Sequence, residues 1–253
     1  AMEARPSGRT AGARIRVLLP AASLALALAA SGALALRPLP ARAAGGGQVS
    51  FAAAGKVDIT PALDTNSVFL AGYGTKGRRA QGIHDRLYAR IAVFSDGKKT
   101  VAIVSLDLIG LFRNDVLDLR RLTHFDTPGR YLFVTASHTH SGPDTLGMWG
   151  PVPGVSGVDL GYMKGVKEKV AAAVLTANDR LKPARLRAAS SKLDHKGLCK
   201  DLRDPAVVDP VLTVLAAETM DGKPVATLVN WSCHPEVLDK SNMLVSADFA
   251  GAL

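Results

Sequence analysis

The chain has 253 residues, 47% hydrophobic and 21% charged; this is enough for one large domain or two small ones, and the composition excludes an intrinsically disordered protein. The formal net charge is +9, but residues 1–43 hold six Arg and one Glu, a net of +5. The +4 left for the remainder gives no case for nucleic-acid binding and limits any peripheral membrane contact to mild attraction toward anionic surfaces.

Arg5, Arg9, Arg14 and Arg16 form a positive leader, and residues 17–36 are an apolar run dominated by Ala and Leu. Ala41-Arg42-Ala43 then places small residues where a signal peptidase reads. This order is that of a secretory signal. The run is also about long enough to span a bilayer, roughly 20 residues. Residues 1–43 are therefore predicted to be a signal peptide or an N-terminal anchor. Either way the folded part is exported, to the periplasm or beyond.

Residues 48–59 alternate weakly and end at Thr60-Pro61, a strand followed by a turn. Residues 70–77 form a Gly-rich loop without the spacing or following helix of a phosphate-binding loop. Residues 87–94 and 100–108 read as two strands joined by a hairpin turn at Ser95-Asp96-Gly97-Lys98. Apolar spacing predicts a helix over 114–122, then a buried strand over 131–136. The clearest helix is 162–181, where Val166, Val170, Ala173, Val174 and Leu181 recur at three to four residues. Strands follow over 184–190, 211–218 and 225–231. Hairpin-linked strands mixed with helices predict an α/β fold, with mixed β-sheets packed against helices as a sandwich. The cysteines Cys199 and Cys233 can pair in an oxidising compartment or be two separate buried thiols; the sequence leaves both open.

The strongest feature is Ala136-Ser137-His138-Thr139-His140-Ser141-Gly142-Pro143, directly after a predicted strand. In an extended segment residues two apart face the same side. His138 and His140 are thus predicted to point into one site at a strand end, with Ser141-Gly142-Pro143 turning the chain away. Imidazoles there suit zinc or acid/base work; taken alone, two surface histidines explain the pattern as well. The strand over 225–231 delivers a second such turn, His234-Pro235. Two histidine-bearing turns predict a shared mouth at one edge of a sheet. Catalytic zinc uses three protein ligands and an open position, and His138 and His234 can supply two. Asp107, at a strand end, is a candidate for orienting a ligand imidazole or simply for bonding local backbone; Asp248 is the other nearby carboxylate. His84-Asp85-Arg86 reads as a polar cluster or a salt-bridged loop, and His124 and His195 as surface residues.

The blocks GKVDITP, GYGTKGRRAQGIHDRLYARIAVF, VAIVSLDL, ASHTHSGP, DPVLTVLAAE, TLVNWSCHPEVL and VSADFAG occur in the order found in neutral/alkaline, non-lysosomal ceramidases. The chain resembles that family over residues 55–251. The resemblance implies hydrolysis of the amide of N-acylsphingosine with one zinc ion in a deep pocket. It implies that His138 and His234 ligate Zn2+ and that His140 stabilises the oxyanion or positions water. The family completes its zinc site with a Glu and a Tyr further along. By resemblance, then, residues 44–253 are the N-terminal portion of a ceramidase-like catalytic domain, truncated at its C-terminus. Asp144-Thr145-Leu146 and Cys233-His234-Pro235 depart from the family's common pattern, as in a divergent bacterial branch.

The reading at this point is a zinc-dependent hydrolase of an N-acyl lipid such as ceramide, releasing a fatty acid and an amine. The alternative is an exported, non-catalytic ceramidase-like protein that binds metal or lipid. The expected partner is a lipid or other N-acyl small molecule, with oligomeric state open. The chain alone is predicted to bind zinc weakly and to turn over little, because two ligands leave the shell incomplete.

Overall fold

The computed structural model describes residues 37–38, 50–64 and 67–253. The predicted signal or anchor at 1–43 lies outside the described residues, apart from the strand β1 at Arg37–Pro38. The strands that follow are β2 (Ser50–Asp58), β3 (Phe69–Leu70), β4 (Arg78–Arg79), β5 (Gly82–Ile83), β6 (Tyr88–Ser95) and β7 (Thr100–Leu106). Helix α1 (Arg113–Thr123), strand β8 (Arg130–Ala136) and helix α2 (Leu160–Asp179) come next. The chain then forms β9 (Lys182–Lys192), β10 (Val211–Thr219), β11 (Pro224–Trp231), β12 (Leu244–Val245) and the short helix α3 (Asp248–Ala252).

One mixed sheet dominates, in the order β11-β10-β9-β2-β6-β7-β8, with β1 paired to β9. Neighbours are antiparallel except β7 and β8, which run parallel because α1 carries the chain across between them. Asp96 closes the β6–β7 hairpin by accepting from the Lys98 and Lys99 amides. Helix α2 begins where the Asp159 side chain accepts the Tyr162 N–H at 3.0 Å, a standard N-cap.

Alternation in the strands decides which face is buried. Ala89, Ile91 and Val93 of β6, Ala102, Val104 and Leu106 of β7, and Leu132 of β8 all turn to one side. There they join Val166, Val170 and Val174 of α2 in one core cluster. The other face is lighter: Phe94, Val101 and Ile103 are half-buried, and Tyr131 and Phe133 stand exposed. Among the described residues no helix is long and apolar enough to cross a membrane.

Candidate metal centre

His138 lies just past β8. The chain stays beside the end of β7 for two more residues, with Ser137 N–H donating to Leu106 O at 2.8 Å and His138 N–H to Leu108 O at 3.0 Å. His138 then adopts φ +67°, a left-handed conformation that costs a non-glycine residue on the order of 1 kcal/mol or more and so marks a constrained site. The sequence reading explained the paired histidines by strand alternation. The structure corrects this: the left-handed residue, not an extended run, brings both rings to one place. After it, Thr139, His140 and Ser141 are all buried. Thr139 Oγ1 donates to Ser246 O at 2.8 Å, and Ser246 N–H to Ser141 O at 2.9 Å, so the segment around β12 is fastened to the motif.

His234 arrives from β11. Asp248 shapes its turn by accepting the Val237 and Leu238 amides at 3.3 and 2.9 Å. Here a second expectation is corrected. The two histidine-bearing strands do not share an edge: β8 and β11 are opposite ends of the main sheet. Strands are spaced by about 4.8 Å, so a flat sheet would hold those ends about 29 Å apart. The sheet must therefore curl. β9 holds β2 over only three residue pairs, Ser50↔Ala184 to Ala52↔Lys182, which frees the β9–β11 ribbon to swing its far end back to the mouth.

The result is a cluster of three imidazoles. Ring centroids are 5.0 Å apart for His138 and His234, 5.2 Å for His138 and His140, and 4.5 Å for His140 and His234. One ligand atom from each lies within 4.8 Å of the others. Ligand atoms around a tetrahedral zinc sit roughly 3.4 Å apart, so about an ångström of closure would seat an ion. His138 and His234 are exposed, whereas His140 is 5% exposed and forms the inner wall.

One hydrogen bond sets the His138 tautomer. His138 Nδ1 lies 2.6 Å from Ile109 O. A carbonyl only accepts, so Nδ1 carries the proton and Nε2 keeps its lone pair for a ligand. Glu236 spans the other two rings, with Oε2 3.1 Å from His234 Nδ1 and Oε1 3.0 Å from His140 Nδ1. Both are ion-pair contacts rather than hydrogen bonds, and His140 Nδ1 is a buried nitrogen without a hydrogen-bond partner among the described residues. Burial first, then the nearby His234 ring, pull the His140 imidazole down to about 4; His138 and Arg78 add to this and Glu236 opposes it. His140 is thus neutral near pH 7, with one N–H and one lone pair. Three imidazoles, one with Nδ1 bonded to a carbonyl and two with Nδ1 beside the Glu236 carboxylate, are a donor set that fits a zinc-like cation.

The Gly-rich loop, which sequence reasoning noted but did not connect to the site, forms its back. Tyr73 meets the His140 ring edge-on at 4.9 Å and donates through Oη to Leu238 O at 3.0 Å. The Arg78 guanidinium donates to the carbonyls of Ala71, His140 and Asn242. Glu236 was also missed; its only sequence signal is its position two residues after His234. Asp107 takes the local-backbone alternative, accepting from Tyr88 N–H at 2.8 Å and Arg90 at 2.7 Å, and does not orient a ligand imidazole. Asp85 accepts from Ser246 and Ala247 and contacts His84, while Arg86 pairs with Asp58; this is the salt-bridged loop. His124 caps α1 from an exposed position, and His195 is half-buried between the exposed Asp194 and Lys196.

Residues 51–252 match the family model for neutral/alkaline non-lysosomal ceramidase, N-terminal. The chain belongs to that family. Neutral ceramidase A of Dictyostelium discoideum is 28% identical over 221 residues, covering 78% of this chain and 30% of that protein. Neutral ceramidase B of the same organism is 27% identical over 220 residues with the same shares. The solved neutral ceramidase of Pseudomonas aeruginosa shares the fold at a TM-score of 0.64 and 22% identity, over 80% of this chain and 35% of that one. The chain thus spans about a third of the length of the relatives it matches.

In this ceramidase-family chain Asp144 organises the wall after the histidine motif. Its fully buried carboxylate accepts the amides of Leu146, Gly147, Trp149 and Gly157 at 2.8–3.0 Å. The loop it shapes joins the Gly-rich loop through Trp149 Nε1 donating to Gly74 O at 3.0 Å and Gly77 N–H donating to Gly150 O at 2.9 Å. Asp144→Ala leaves several buried amides unpaired. It is expected to cost about 1–3 kcal/mol, read as a lowered midpoint in thermal or urea unfolding.

Proposed function

We propose that this chain is the N-terminal portion of an exported zinc-dependent hydrolase that cleaves the amide bond of an N-acyl lipid such as ceramide. The products are a fatty acid and an amine. The observation that carries the reading is the meeting of His138, His140 and His234, delivered from opposite ends of one sheet. Membership of the ceramidase family supplies the substrate class.

In this reading His138 and His234 would hold the metal, His138 through Nε2 because its Nδ1 donates to Ile109 O. A bound zinc ion supplies Lewis-acid polarisation of the acyl carbonyl and lowers the pKa of a bound water toward about 7. His140, on the buried side, donates its one N–H toward the oxygen on which negative charge develops, or holds the reacting water. Tyr73 and Arg78 fix where that ring sits. The exposed side of the cluster is the side open to substrate.

The test is hydrolysis of N-acylsphingosine by the complete polypeptide, before and after chelation and zinc restoration, beside simple N-acyl amino acids. Loss on chelation and recovery with zinc is expected. Full turnover by the metal-free protein would overturn the reading, and metal binding without turnover of any N-acyl substrate would leave a metal- or lipid-binding protein instead. Glu236→Ala is expected to weaken zinc binding about 10–100-fold, the usual effect of removing a carboxylate that orients a ligand imidazole, read by competition with a chromophoric chelator. An unchanged affinity would show that the carboxylate does not position the rings.

A further inference from the structure

We propose that Cys199 and Cys233 form a disulfide that pins the β9–β10 connection against the turn carrying His234. That connection, residues 193–210, runs for eighteen residues without strand or helix, which is long for a link between neighbouring strands. Its contact with the end of β11 is made by the two cysteines. Cys199 Sγ lies 3.7 Å from the carbonyl of Ser232, and Cys233 Sγ lies 3.6 Å from the carbonyl of Leu198. Each thiol touches the residue that precedes the other cysteine. This crossed pattern sets the two backbones side by side at the cysteines, the arrangement that a disulfide with Cβ atoms about 3.8 Å apart requires. Both sulfurs are half-buried rather than sealed, so an oxidant can reach them.

The position gives the bond a consequence. Cys233 is the residue before His234, so a bond there restrains the backbone that carries the imidazole without touching its ring. The two cysteines also line the same groove as His234 and Glu236, a space of about 690 Å3 between the connection and the β11 turn, with Trp231 and Phe249 on its wall. Pairing joins the two sides of that groove covalently; reduction leaves residues 193–210 held by weak thiol contacts at this point. In the reaction two S–H bonds break and one S–S bond forms. Two protons and two electrons pass to a disulfide oxidant such as oxidised glutathione, which leaves as two thiols by way of a mixed disulfide. The proposal stands apart from the hydrolase reading, since it needs neither zinc nor substrate.

The experiment equilibrates the purified chain with oxidised or reduced glutathione. Thiols are then counted in denaturant, and the products are run on non-reducing electrophoresis and peptide mapping. The oxidised monomer is expected to show no titratable thiol, a mass lower by about 2 Da, and a Cys199 tryptic peptide that travels with the Cys233 peptide until reduced. Its melting temperature is expected to rise by several degrees, a rise that Cys199→Ser and Cys233→Ser each remove while keeping the circular dichroism of the parent. Trypsin cleavage at the exposed Lys196, Lys200 and Arg203 is expected to slow in the oxidised form. Two thiols persisting in the oxidised buffer, a disulfide-linked dimer in place of the monomer, or equal cleavage rates in both forms would each overturn the proposal.

Discussion

His138→Ala is expected to abolish metal binding and hydrolysis together, whereas His140→Ala retains the metal and slows turnover. The contrast follows from where the two rings sit. His138 is exposed, its backbone is held in a left-handed conformation and its Nδ1 is committed to Ile109 O, so a single lone pair is presented to the open side. Removing a direct ligand is expected to lower zinc affinity by more than the roughly 100-fold that marks loss of an outer partner. His140 is buried and its carbonyl is tied down by Arg78. Its side chain is placed to donate to developing charge, and loss of one such donor slows the chemical step by about 100- to 1,000-fold. Zinc content by elemental analysis and kcat on N-acylsphingosine, measured on both variants in the complete polypeptide, separate the two roles. Loss of zinc from His140→Ala with retention in His138→Ala would reverse them.

Much of the scaffold was legible in the sequence because its signals are local. The apolar run over 100–108 behind a hairpin turn and the three-to-four spacing in 162–181 are both local, and the strands and helices read from the sequence fall within about two residues of the expected ends. The histidines were legible as residues because each follows an apolar strand. How they meet was not. Strand order is non-local, and nothing in residues 131–136 or 225–231 says that their strands occupy opposite ends of a curled sheet. The left-handed conformation of His138 was also invisible, since glycine and asparagine are the usual markers of that backbone state. Glu236 and the Gly-rich loop escaped for a third reason: their partners, His140 in both cases, lie 96 and 68 residues away in sequence. Asp107, the carboxylate considered for orienting a ligand imidazole, accepts instead from Arg90 on the neighbouring strand, where burial pushes its carboxyl up and Arg90 and the Tyr88 amide oppose the rise.

Gly72→Ala is expected to damage the site nearly as much as deleting the His140 ring, from a residue with no chemistry of its own. Gly72 has φ +100°, and a Cβ there would fall 2.2 Å from His140 Cγ and 2.5 Å from Nδ1. No real Cβ tolerates such an approach, so one partner must move. The ring has little room: it is 5% exposed, Tyr73 meets it edge-on at 4.9 Å, and His234 stands 4.5 Å away on another side. Its backbone is no freer, because Thr139 and Ser141 on either side are bonded to the segment around Ser246. The ring must therefore be displaced toward the histidine cluster or the Gly-rich loop must back away from it. Either change misplaces the donor, and an ångström of misplacement suffices for about a 100-fold loss of turnover. The left-handed backbone adds about 1–3 kcal/mol of destabilisation. Gly74→Ala separates the two effects: it too has positive φ, +65°, but its Cβ would meet nothing within 4 Å. It is expected to lose stability by the backbone cost while keeping its turnover. Equal kcat in the two variants, measured with unfolding midpoints on the same preparations, would show that close contact with Gly72 is not what holds His140 in place.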